Sequence, residues 1–240
     1  MLGTAFGATL LSSMSGTGSS MISTPVWLML GFPLPVAIAS NDVNGALWTT
    51  VAARNYLRGH KIDWRLVLSL VFFGLAGAYG GAMVIMRCRP QNIERIIGFI
   101  ILGVVVLSYV HRKFGVEESE PKWNRVCTGL LGLPLGFYEA FFGAGNGIFT
   151  STAIAATRGL RILESLGYYY IISCVWCIFA SIVYISNGHW DLKLMIPSII
   201  GSFTGASIGS RIGRKQGVGF VKTVAIVVGS ILGIKMILGL

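Results

Sequence analysis

Charge is scarce in this chain. Of its 240 residues only 12% are Asp, Glu, Lys or Arg, and nine are acids. A soluble domain of this size carries about twice that share of charge. The longest polar run, His111 to Arg125, is too short to be a soluble domain. Histidine occurs three times, as His60, His111 and His189, always at loops. That leaves no constellation of ligands for a metal site and no base-and-nucleophile set for an enzyme. No G-x-x-x-x-G-K-[ST] segment is present, so the chain itself hydrolyses no nucleotide by that route. No basic n-region precedes the first apolar stretch, so no cleavable signal is expected. Cysteine is also rare. Cys88 and Cys127 lie far apart, and Cys174 and Cys177 sit inside the apolar stretch 171–185. A redox pair belongs at an exposed helix start, so these cysteines read as small packing residues.

Apolar residues are abundant. They make up 54% of the chain, and the mean hydropathy is +0.73. The stretches Leu66 to Met86 and Ser165 to Trp190 contain no Asp, Glu, Lys or Arg. Each exceeds the roughly 20 residues that a helix needs to cross the hydrocarbon core. The expectation is an all-α, multi-pass protein of the cell membrane, with the lipid bilayer as its surroundings. The net charge of +10 does not imply a nucleic-acid partner. The basic residues lie in short loops between apolar spans, as membrane orientation requires.

Two glycine-polar segments interrupt apolar stretches 127 residues apart: Gly16-Thr17-Gly18-Ser19-Ser20 and Gly143-Ala144-Gly145-Asn146-Gly147. Irregular backbone is tolerated in a bilayer only where protein buries it or where it lines a polar cavity. Paired breaks in two halves of a chain point to a transporter's binding site. Close helix packing through small residues is the competing explanation. Five consecutive small or polar residues exceed what a packing notch needs.

The halves match elsewhere. Arg58-Gly59-His60-Lys61-Ile62-Asp63 resembles Asn187-Gly188-His189-Trp190-Asp191, with the histidines 129 apart. Gly77-Ala78-Tyr79-Gly80-Gly81 resembles Gly205-Ala206-Ser207-Ile208-Gly209, 128 apart. A near-constant offset argues for duplication. One transmembrane domain is expected, with a first repeat over 1–111, a loop over 112–124 and a second repeat over 125–240. Each repeat reads as a broken or re-entrant helix followed by three spans: 1–31, 34–57, 64–86 and 92–110, then 125–157, 162–186, 192–210 and 218–239. If the broken segment returns to its own side, one face carries 14 Lys and Arg and the other 5. If it crosses once, the split is 10 against 9. The positive-inside rule favours the asymmetric split, hence a re-entrant hairpin and an inverted repeat. Residues 1–14 rise only about 21 Å as a helix, short of a core of about 30 Å.

The chemistry follows from the breaks. A helix that restarts inside the membrane offers unpaired amides and the positive end of its dipole, a ready anion site. The candidate substrate residues are Gly16, Thr17, Gly18, Ser19 and Ser20 with Gly143, Gly145, Asn146 and Gly147. Asn41 and Asn44, spaced i, i+3 on one helical face, are candidates beside them. So is Tyr169, within Tyr168-Tyr169-Tyr170, although an aromatic cluster also serves packing. Interhelical hydrogen bonding is the alternative for the asparagines. Glu139 and Asp42 are the candidate proton-coupling groups, since an intramembrane carboxyl is a functional hypothesis by default. A structural hydrogen bond is the alternative for Glu139. Glu164 is expected to pair with Arg161, one turn away. Arg54 is expected to snorkel to the membrane surface rather than to gate.

The run Gly136-Phe137-Tyr138-Glu139-Ala140-Phe141-Phe142-Gly143-Ala144-Gly145-Asn146-Gly147 resembles the second-half pattern of the sulfite exporter TauE/SafE family, also called the toluene-sulfonate uptake permease family. Ala39-Ser40-Asn41, Arg58-Gly59-His60 and Gly205-Ala206-Ser207-Ile208-Gly209-Ser210 add to the likeness, which spans essentially the whole chain. Glu139 stands where the family usually has Asp, Ala140 where it has Gly and Ala144 where it has Pro. The segment 165–170 is aromatic where the family is polar. The resemblance implies movement of sulfur-containing anions such as sulfite or organosulfonates, without a bound cofactor. The resulting expectation is an alternating-access secondary carrier for a small sulfur-containing or organic anion, with a homodimer as a further partner to test. An anion channel and a non-transporting membrane subunit are the alternatives.

Overall fold

The computed structural model describes residues 1–87 and 118–238, together with the helical positions 99, 102, 103 and 106. The span expected over 92–110, Cys88, His111 and most of the inter-repeat loop lie outside the described residues. Among the described residues the secondary structure is helical. It begins with α1 (Leu2–Ser15), α2 (Ser20–Met29), α3 (Leu34–Tyr56) and α4 (Trp64–Ile85). It continues with α5 (Arg125–Leu130), α6 (Gly132–Phe141), α7 (Asn146–Arg158), α8 (Ile162–Ser186) and α9 (Leu192–Leu238). α9 bends at Gly217, whose φ of 82° and ψ of −173° are not helical. The α5–α6 interruption at Leu131 sits just before Pro134, which has no N–H to donate to the carbonyl four residues back.

Among the described residues, three helices are long and apolar enough to cross a membrane: Trp64–Ile85, Ile162–Ser186 and Leu192–Gly217. α3 has comparable length, 23 residues, but carries Ser40, Asn41, Asp42 and Asn44, all buried against protein. Its polarity is tolerated because neighbouring helices, not lipid, surround that stretch.

Both expected breaks are hairpin tips. Gly16 and Gly18 have φ of 74° and 76°, and Gly143 and Gly145 have φ of 69° and 76°. Only glycine visits this region without cost. The Gly16 amide closes α1 by donating to the Ser12 carbonyl at 2.7 Å. α2 then runs back along α3: Gly18, Ser19 and Ser20 share a cavity with Asp42 and Gly45, while Trp27 packs by Val36 and Ala37. α7 similarly leaves the second tip and returns to the face from which α5 started. Its Thr157 carbonyl accepts from the Lys122 and Trp123 amides, each at 3.0 Å.

The two halves of the chain exchange partners in matching register. A Cβ on Gly205 would strike the Phe6 carbonyl, and one on Gly209 the Leu10 carbonyl. A Cβ on Gly77 would strike the Leu133 carbonyl, and one on Gly81 the Phe137 carbonyl. Adding 127 or 128 to one set reproduces the other. Glycine here lets helix backbones touch, so the first limb of each hairpin is clamped by the glycine face of the other repeat's α4 or α9. Tyr56 Oη donates to the Ser13 carbonyl at 3.0 Å, and Tyr184 Oη, 128 residues on, donates to the Ala140 carbonyl at 2.7 Å. At the centre, α3 and α8 run antiparallel. Gly45 meets Cys177 at one end of the contact, and Leu57 meets Gly167 at the other.

The loops at 57–63, 118–125 and 158–161 gather on one face with the 211–217 stretch of α9. Arg125 Nε meets Asp63 Oδ2 at 2.6 Å, Arg214 donates to the Arg58 carbonyl at 2.9 Å, and Arg161 pairs with Glu118 at 3.4 Å. Glu164 does not pair with Arg161 as its spacing suggested. It faces His60 Nδ1 at 3.7 Å, because the tertiary fold brings the 58–63 loop over the start of α8. Asp63 also caps α4 by accepting from the Leu66 amide, as Asp191 accepts from the Lys193 amide at 2.7 Å. Partial burial pushes the Asp63 carboxyl up. The hydrogen bonds from Arg125 and Leu66, with the Arg125 charge, outweigh that and hold it below the usual carboxylate range.

Candidate functional site

The hairpin tips cross at the centre of the molecule. The Gly145 amide donates to the Thr17 carbonyl at 2.5 Å. A Cβ on Gly18 would lie 2.5 Å from the Gly143 carbonyl oxygen, and one on Gly147 2.5 Å from that of Gly16. Beside this crossing is a cavity of about 20 Å³, room for one water molecule. Gly18, Ser19, Ser20, Asn41, Asp42, Glu139, Gly143 and Tyr169 all line it. Residues from both halves of the sequence therefore converge on one small space. α2 begins at this cavity and presents its N-terminus to it, while the second tip reaches it through Gly143.

The other expected site residues have different duties. Gly16, Thr17, Gly145, Asn146 and Gly147 build the crossing itself. The Asn146 amide is spent on Glu139 Oε2 and on the Leu135 carbonyl. The Asn41 side chain accepts from Ser23 at 2.7 Å and from Trp27 at 3.2 Å, and donates to Thr24 at 2.8 Å. It ties α2 to α3. Asn44 is buried and its Oδ1 has no partner among the described residues; it does not line the cavity. Of the three tyrosines, Tyr169 alone reaches it. Tyr170 donates to the Ser12 carbonyl at 3.1 Å, and Tyr168 accepts from the Asp63 amide at 2.8 Å.

The two carboxyls differ in their surroundings. Glu139 accepts from Asn146 and Ser173, and from Tyr169 at 3.2 Å, with Cys177 Sγ at 3.6 Å. It is saturated. Asp42 is buried, and its Oδ2 has no partner among the described residues. A buried carboxyl oxygen without a partner is costly, so Asp42 Oδ2 is the atom left open to a proton or a ligand.

The residue reading missed Trp48, Thr49, Ser173 and Cys177, which also line the cavity. A tryptophan or cysteine in an apolar helix looks like packing, and the repeat offset was the available signal. Trp48 and Trp176 are 128 apart. Trp176 Nε1 donates to the Val71 carbonyl at 3.4 Å, its indole seated where a Cβ on Gly74 would collide with it. The position 128 beyond Gly74 is Ser202. Trp48 Nε1 is buried with no partner among the described residues.

No group of three or more His, Cys, Asp and Glu side chains able to hold a metal ion occurs among the described residues. Paired helical hairpins, a buried polar centre and helices apolar enough to span a membrane fit a multi-pass helical membrane protein. Residues 1–236 match the model of the family described as Sulfite exporter TauE/SafE, and the chain belongs to that family. A "Probable membrane transporter protein" of Haemophilus influenzae is 22% identical over 233 residues, covering 97% of this chain and 91% of the relative. "Probable membrane transporter protein ORF9" of Sinorhizobium sp is 24% identical over 236 residues, 97% and 89% of the two chains. "Probable membrane transporter protein YfcA" of Escherichia coli K12 is 21% identical over 232 residues, 95% and 84%. No solved structure gives a significant match.

Proposed function

We propose that the chain is a secondary carrier that moves a small sulfur-containing or related organic anion across the cell membrane by alternating access. The cavity beneath the crossed hairpin tips is its substrate site. The observation that carries this reading is the convergence of both glycine tips, one of them opening the N-terminus of α2, on one buried polar cavity. Helix starts favour negative charge without a fixed cation that would hold the anion too tightly. The antiparallel α3–α8 contact and the exchanged hairpin contacts support an inverted repeat, with its two-fold axis in the membrane plane. Two such halves rocking about a central site are a known route to alternating access. A cavity with room for one water then corresponds to a closed conformation.

The site carries two carboxyls, and no Lys or Arg is among its lining residues. An anion beside two carboxylates is repelled, so at least one of them must be protonated when substrate binds. Asp42, with its free oxygen, is the coupling group in this reading. Glu139, saturated by hydrogen bonds, anchors the second hairpin to α8. The test is flux of labelled sulfite, thiosulfate, sulfonates and carboxylates into liposomes holding the purified protein. Saturable counterflow supports a carrier. Flux without counterflow supports the channel alternative, and no flux of any of these anions overturns the transport reading.

A further inference from the structure

Outside the cavity, the most unusual feature is the seam between α3 and α9. The helices run parallel. Ala206 packs with Trp48 and Ala52, and Asn55 Nδ2 donates to Ser210 Oγ at 2.8 Å. Polar residues line the seam at helical spacing on both sides. By helical spacing, Ser40 and Asn44 share the α3 face of Trp48, each four residues from the next, with Asn55 further along it. Ser198 and Ser202 likewise share the α9 face of Ala206 and Ser210. All but Asn55 are buried, none of them more than 2% exposed. Ser40 Oγ, Asn44 Oδ1 and Trp48 Nε1 have no partner among the described residues. A row of unsatisfied polar atoms inside a membrane protein is costly unless something polar passes or binds there.

The seam ends at the basic-loop face in a cavity of about 1070 Å³ lined by Arg54, Asn55, Arg58, Arg211, Arg214 and Lys215. No acid lines it, and among the described residues none of its cations forms a salt bridge with a carboxylate. Five cations in one recess concentrate anions locally. Trp48, two turns back along α3 from Asn55, also lines the central cavity.

We infer that the anion passes between the central cavity and the basic-loop face along the α3–α9 seam. The basic recess is a second anion-binding station, and the Asn55–Ser210 contact with Trp48 closes the route in this conformation. The recess would take small oxyanions such as sulfite or a sulfonate, held by guanidinium forks. The inference rests on the transport reading above.

Charge sign at the constriction tests it. Asn55→Asp and Asn55→Lys both remove the amide that donates to Ser210, so a merely structural Asn55 gives two similar defects. A route for anions gives opposite ones. In liposomes with the basic-loop face outward, Asn55→Asp is expected to raise the KM for sulfite about tenfold or more, the scale on which local fields alter substrate capture. Asn55→Lys is expected to leave it at or below the parent value. Arg58→Gln with Arg211→Gln is expected to raise KM from that face with kcat little changed, and to flatten its salt dependence. Indistinguishable Asp and Lys variants, or an unchanged KM in the double Gln variant, overturn the route. If the parent protein moves none of the tested anions, the transport reading itself fails; if the parent transports and only the sign test fails, the seam alone is wrong.

Discussion

Gly18 and Gly145 are equivalent in the two repeats, share a φ of 76°, and ought to respond differently to alanine. At Gly18 the new Cβ lies 2.5 Å from the Gly143 carbonyl oxygen and 3.2 Å from both Ala144 Cα and Gly145 N. Those are backbone atoms of the opposing tip, which cannot swing away as a side chain can. At Gly145 the nearest atom is Phe149 Cε2 at 4.0 Å, an ordinary contact. Left-handed backbone costs a non-glycine residue roughly 1–2 kcal/mol, and both variants bear that. Overpacking adds about 1–3 kcal/mol, and only Gly18→Ala bears it. The sum for Gly18→Ala is about 2–5 kcal/mol, a large part of a typical total of about 5–15 kcal/mol. Melting of the purified proteins in one detergent reads the difference, with sulfite flux as the second measurement. Gly18→Ala should melt clearly below Gly145→Ala and lose flux, because the crossing that shapes the cavity must open. Gly7, in α1, has nothing within 4 Å of where a Cβ would stand and provides the control; Gly7→Ala should melt at or slightly above the parent. Equal melting of Gly18→Ala and Gly145→Ala, or a worse Gly145→Ala, would refute the crossed-tip geometry.

Three further outcomes are expected. Asp42→Asn should keep substrate binding and lose acceleration of flux by a pH gradient, whereas Glu139→Gln should lower the melting temperature and reduce flux equally with and without a gradient; the reverse pattern assigns the proton to Glu139. Asp63 is held below its ordinary range, so its contribution is present above about pH 4 and is lost as pH falls through the depressed folded value; Arg125→Ala should abolish that acid-limb dependence of melting, by a small amount because the pair is partly exposed. Impermeant labels attached within 57–63 and within 211–217 should react from the same membrane face, and reaction from opposite faces would contradict the gathering of the basic loops.

The scaffold was legible because its signals are backbone signals. Glycine runs at 16–20 and 143–147 mark tips that require positive φ, and a constant offset marks the repeat whatever the side chains do. Charge asymmetry favours hairpins that return, which belongs to the inverted repeat proposed above. The chemistry was less legible because it depends on which partner each polar group meets. Asn146 and Asn41 look like ligand donors, yet their amides are consumed by Glu139 and by the α2–α3 tie. Glu164 has Arg161 one turn away but meets His60, a neighbour only in three dimensions. Trp48 looks like packing until Trp176 is seen to have the partner that Trp48 lacks.

The repeat offset also explains how a symmetric scaffold obtains an asymmetric site. Tyr170 Oη donates to the Ser12 carbonyl. Subtracting 128 from Tyr170 gives Asp42, and adding 127 to Ser12 gives Glu139. One copy of this contact is thus a neutral tyrosine closing on backbone, which fastens α1 to α8. The other copy places two carboxyls on the wall of one cavity, with Cys177 against Glu139. The fastening role has passed to the groups around Glu139: Asn146, Ser173 and Tyr169. That substitution of partners frees Asp42 from a structural duty its counterpart still performs. A buried carboxyl with one oxygen left open, at the crossing of two hairpins, can change protonation without dismantling the fold.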